Sequence, residues 1–83
     1  MALYFLDYDL RKNRNYDKLT DELKSFGAVR ILESLWCFKR LNTSAGGLKD
    51  HFKKFIDNDD ALCVSEVADW ATYNTLGTPN DLK

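Results

Sequence analysis

Asp9 stands at the end of the run Ala2-Leu3-Tyr4-Phe5-Leu6-Asp7-Tyr8-Asp9-Leu10, and Arg11, Lys12, Arg14 and Lys18 follow it directly. A carboxylate at a strand end can hold Mg²⁺ while neighbouring arginines engage phosphate oxygens. Asp7 falls on the same face of the strand, about 7 Å away at ~3.3 Å rise per residue. These residue types could hold Mg²⁺ and phosphate side by side. Asp9 is the candidate catalytic and metal-binding residue, with Asp7 and Ser34 in support. Arg11, Lys12, Arg14 and Tyr8 are the candidate contacts to nucleic acid, with tyrosines available to stack on bases. One carboxylate per chain is a thin site for Mg²⁺, which prefers six oxygens. Two copies of Asp9 meeting across a dimer would complete it. Each residue also has a plainer reading. Asp9 caps its loop or pairs with Arg11 or Arg14, the basic stretch is a solvated loop, and the tyrosines belong to the core.

Other reactive side chains are sparse. His51 flanks an apolar helical stripe and has no second His to work with. Cys37 and Cys63 both lie in apolar runs and read as small buried hydrophobes. Their spacing fits neither a disulfide framework nor a zinc site. Gly46-Gly47 has no Lys-Ser/Thr pair downstream, so no phosphate loop is present.

The elements that must position these residues read as β-α-β-β-α-β. Residues 2–10 are aromatic and apolar without Gly or Pro, a strand covered on both sides. Asn15 is placed to cap a helix carrying Tyr16, Leu19, Leu23 and Phe26 at helical spacing, and Gly27 ends it. Residues 28–41 are rich in β-formers but long for one strand, with Glu33-Ser34 as the expected bend. Thr43 or Ser44 caps a second helix with the stripe Leu48, Phe52, Phe55 and Ile56. Asp57-Asn58-Asp59-Asp60 forms an acidic loop, and residues 61–67 form the last strand. Trp70 and Tyr73 follow as packing residues. Residues 74–83, with the lone Pro79, read as a flexible tail beyond a single domain of residues 1–73.

Eighty-three residues allow one domain, and the 45% apolar, 30% charged balance is that of a folded chain rather than a disordered one. A net charge of −1 argues against a strong nonspecific grip on nucleic acid, which needs a clear positive excess. The first residues have no basic region and reach Asp7 early, unlike a signal peptide, so a cytoplasmic protein with no membrane partner is expected.

Short connections and right-handed crossovers then favour an α+β, ferredoxin-like βαββαβ fold, an antiparallel sheet with both helices on one face. The first strand sits in the middle. The uncovered face carries either Leu3 and Phe5 or the Tyr4 and Leu6 set. Such apolar area marks an interface, so a homodimer joined through the sheet, face to face or edge to edge, is expected.

Tyr8-Asp9-Leu10 ending an apolar first strand resembles the signature of the small CRISPR-associated endonuclease-like proteins, to which VapD toxins are similar in fold. Leu32-Glu33-Ser34-Leu35-Trp36 resembles their second motif. A Tyr-Asp-Leu-Arg start and a Leu-Glu-Ser-x-Trp segment more closely resemble short uncharacterised bacterial and phage proteins labelled SinR-family. The resemblance spans residues 2–67. It implies a ferredoxin-like homodimer with Mg²⁺ held by Asp9 at the interface, and Trp70 to Tyr73 pairing with the partner. It also implies a second possibility, since many such relatives act as scaffolds without needed nuclease activity. The alternative is therefore a non-catalytic dimeric module that occupies a protein partner or sequesters a nucleotide, with RNA or DNA as the ligand on the first reading.

Overall fold

The computed structural model describes residues 1–11 and 16–83. The elements are β1 (Ala2–Asp9), α1 (Asp17–Ser25), β2 (Val29–Leu32), β3 (Leu35–Arg40), α2 (Ala45–Phe52) and β4 (Ala61–Glu66), with single 3₁₀ turns at Lys53–Phe55 and Pro79–Asp81. The strands form one antiparallel sheet in the order β2-β3-β1-β4. No helix among the described residues is long and apolar enough to cross a membrane.

The two-residue period of β1 decides which side chains form the core. Tyr4, Leu6 and Tyr8 join Trp36 and Phe38 of β3, Leu19 and Leu23 of α1, and Leu48 and Phe52 of α2 in one buried cluster. Both helices therefore cover the same face. Burying each of these side chains contributes roughly 1.5–3 kcal/mol. Leu3, Phe5, Asp7 and Asp9 turn to the other face. There they lie beside Lys39, Cys37 and Leu35 of β3 and Ser65, Cys63 and Ala61 of β4.

The ends of α1 follow from local chemistry. Asp17 stands in its first turn, where a carboxylate suits the helix dipole. Tyr16 occupies the N-cap without a side-chain cap bond, and the expected cap Asn15 lies outside the described residues. At the other end Gly27 takes a φ of 70°, its N–H donating to the Lys24 carbonyl while that of Ala28 donates to Leu23. These are the two bonds of a Schellman cap. Ser44 caps α2 by accepting from the Gly47 N–H at 3.1 Å. His51 of α2 meets Glu22 of α1 at 2.5 Å, tying the helices together beside the rings of Phe26, Phe52 and Phe55.

The bend at Glu33-Ser34 is a two-residue hairpin with no positive φ at either residue. Such a turn does not match the strand twist as the primed turns do. A bulge absorbs the difference, because Arg30 faces Trp36 and Leu32 faces Leu35, leaving Ile31 as the extra residue.

Two expectations are corrected. Cys63 is exposed, not buried, because β4 places it on the open face opposite Asp7. Residues 75–82 do not hang loose. The Leu76 N–H donates to the Ile31 carbonyl at 2.8 Å, and Pro79 is buried. Thr78 and Asp81 form a reciprocal capping box around the last 3₁₀ turn. The chain leaves β4 at one edge of the sheet and docks on β2 at the other. Ile31 and Cys37 are buried there, outside the helix-side core.

Candidate functional site

The sheet brings the candidate residues to one end. Asp9 is the last residue of β1, its side chain 68% exposed, and its Oδ2 accepts from Arg11 Nε at 3.1 Å. Asp7 sits two residues back on the same face, and the Ser34 hydroxyl donates to its Oδ1 at 3.1 Å. Arg11 is also anchored through its backbone, the N–H donating to Asp60 at 2.6 Å. Asp7, Asp9, Arg11 and Ser34 are thus assembled by β1, its following residue and the β2–β3 hairpin. Lys12 and Arg14 lie outside the described residues. Lys18 is exposed on α1.

Tyr8 is in place but not free. It is 5% exposed, on the helix side of β1. Its hydroxyl donates to the Glu33 carbonyl at 3.3 Å, and its ring lies 5.6 Å from that of Tyr16. A base stacking at this end would meet Tyr16, which is 41% exposed, before Tyr8.

Sequence reasoning missed Arg30. Its Nε and Nη2 donate to the Glu33 carbonyl at 3.0 and 2.7 Å, and its guanidinium lies 5.2 Å from the Trp36 ring centroid. Arg30 and Tyr8 together hold the hairpin that delivers Ser34 to Asp7. No local sequence signal marked it, because Arg30 comes to face Trp36, as a cation–π partner, only through the bulged pairing of β2 and β3.

Two hollows flank the carboxylates. One, of about 430 Å³, is lined by Tyr8, Asp9, Tyr16, Arg30, Glu33 and Ser34, among others. The other, of about 200 Å³, lies on the open face between Asp7, Asp9, Ala61 and Cys63. Asp9 borders both. Among the described residues no three His, Cys, Asp or Glu side chains converge as a metal-ligand group. A cation at Asp9 would therefore draw its remaining oxygens from water, from phosphate or from a second copy of the chain. The donor chemistry itself, an exposed carboxylate beside an arginine, fits a hard cation and a phosphate. No protein-family model matches this chain.

Proposed function

We propose that the chain is a ferredoxin-like homodimer similar to the small CRISPR-associated endonuclease-like proteins, cytoplasmic, acting weakly on phosphodiesters with Mg²⁺. The observation that carries this reading is the exposed Asp9 carboxylate, at the end of an interior strand and 3.1 Å from Arg11. The strand order, read from the other edge as β4-β1-β3-β2, with both helices on one face, supports the fold assignment. Asp9, with Asp9 from a second copy, would hold the metal. Mg²⁺ bound there supplies charge neutralisation at phosphate oxygens and a more acidic bound water. Arg11 offers its guanidinium to a phosphate oxygen, and Ser34 fixes Asp7 so that one more carboxylate faces the same groove.

The second reading, a non-catalytic module that holds a protein partner or a nucleotide, is favoured by one feature. Both carboxylates are already engaged by the chain's own groups, Asp9 by Arg11 and Asp7 by Ser34. Calorimetric titration of Mg²⁺ and Mn²⁺ into the protein and its Asp9→Ala variant, with mass measured on the same samples, separates the two. Binding near one metal per dimer, lost in the variant, supports the first. A dimer that binds no metal in either form sinks the metal mechanism and leaves the module.

A further inference from the structure

The end of the sheet away from Asp9 carries a second concave site, on the order of 23 Å off along β1 at 3.3 Å per residue. The last turn of α1, the start of β2, the end of β3 and residues 81–83 enclose a cleft of about 410 Å³. Lys24, Lys39, Arg40 and Lys83 line it, and Asp81 is the one acidic side chain among the lining residues. That carboxylate is occupied by the fold, since its Oδ2 accepts from the Thr78 N–H at 2.9 Å. The ion pairs among the described residues join Arg11 to Asp9, Lys49 and Lys53 to Asp50, and His51 to Glu22, and include none of the four cleft cations. A chain of net charge −1 thus gathers an excess of basic side chains in one hollow.

One of these cations is also held in place. The Arg40 guanidinium lies 3.9 Å from the Phe26 ring centroid, and its Nη1 donates to the Lys39 carbonyl at 3.3 Å. A stacked guanidinium keeps its remaining N–H edge for an oxyanion, with two donors in the spacing that phosphate accepts. Several basic side chains against one engaged acidic side chain suit a dianion better than a single carboxylate ligand. The volume lies within the roughly 300–1,000 Å³ of small-molecule sites, and Ala28, Val29 and Leu82 give the cleft an apolar lining that a bare inorganic ion would not use. We propose that this cleft binds a small organic phosphate of mononucleotide size, its phosphate on Lys24, Lys39 and Arg40 and its apolar body along Ala28 and Leu82. The site shares no residue with the Asp9 end and does not depend on the function proposed there.

The test is a titration of the ¹⁵N-labelled chain with adenosine monophosphate, inorganic phosphate and adenosine, read from backbone amide shifts. The nucleotide moves the amides of Gly27, Ala28, Lys39 and Arg40 and binds about tenfold or more tightly than either inorganic phosphate or adenosine. Lys24→Glu with Lys39→Glu, both at exposed positions, weakens it by a similar factor, whereas Asp9→Ala leaves it unchanged. Should the charge-reversed pair fail to fold by circular dichroism, Lys24→Gln with Lys39→Gln serves, with a smaller loss of affinity expected. Shifts confined to other residues, equal affinity for inorganic phosphate, or affinity indifferent to a folded variant pair would each overturn the proposal.

Discussion

At the scale of single residues, the structure separates side chains that hold the fold from those that only face solvent. Arg30 belongs to the first group. It places two N–H donors on the Glu33 carbonyl and its guanidinium near Trp36, and no sequence pattern singled it out. Arg30→Ala should lower stability by about 1.5–3 kcal/mol, the range for hydrogen bonds that involve a charged group, measured by urea unfolding. Asp9→Ala should shift the same midpoint by less than about 0.5 kcal/mol, because its ion pair with Arg11 is exposed and screened. A large loss there would mean that Asp9 is structural, and it would remove the carboxylate from the functional argument. The cysteines divide in the same way. Burial pushes the Cys37 thiol up from its ordinary value of 9.0, against the smaller effect of a backbone hydrogen bond from Val29. A group kept neutral in the fold stabilises it fully below the unfolded thiol value and loses that contribution as pH rises past it. Stability should therefore decline above about pH 9, and a thiol reagent at neutral pH should modify Cys63 quickly and Cys37 only on unfolding. Two fast thiols per chain would contradict the burial of Cys37.

At the scale of elements, most of the sheet was legible because strand and helix periods are written in side-chain type. Tyr4, Leu6 and Tyr8 alternate with Leu3, Phe5 and Asp7, and Leu19, Leu23, Leu48 and Phe52 recur at helical spacing. The helices decide which β1 set is covered, which alternation alone could not. The placing of Asp7, Asp9 and Ser34 at one end was legible from β1 and the bend, whereas their hydrogen bonds were not. Those depend on the bulge at Ile31 and on Arg30, features of pairing rather than of local sequence. The tail was misread for a related reason. Gly77, Thr78 and Pro79 look like punctuation, yet a Cβ on Gly77 would lie 2.8 Å from both the Arg30 carbonyl oxygen and Val29 Cγ1. The glycine is there so that the backbone can close on β2. Gly77→Val should therefore displace residues 75–82 and open Cys37, its neighbour across the β2–β3 pair through Val29, to the thiol reagent without unfolding the helices. A Cys37 that stays protected in a helical Gly77→Val variant would show that something other than the tail covers it. Thr78→Ala removes one half of the capping box and should act in the same direction more weakly, by about 1 kcal/mol.

At the scale of the whole molecule, the docked tail divides the sheet's second face. The β2–β3 side carries the buried Ile31 and Cys37 with Gly77 closed against Val29. The β1–β4 side keeps Cys63 and Ser65 exposed beside Asp7 and Phe5, and β4 is an edge strand paired only to β1 among the described residues. An uncovered edge invites pairing with another chain. The proposed metal site requires a homodimer built on this half that also sets the two Asp9 carboxylates side by side. Dimerisation and metal binding are therefore one prediction at two scales. Sedimentation equilibrium should give twice the mass of the 83-residue chain, and Cys63→Lys with Ser65→Lys should return it to one chain. Both changes lie at exposed positions, so the fold should survive them by circular dichroism. The same pair should abolish Mn²⁺ binding although it leaves Asp9 untouched, because the second carboxylate would be gone. A folded monomeric variant that binds Mn²⁺ as the parent does would place the metal within one chain and break the link between assembly and site.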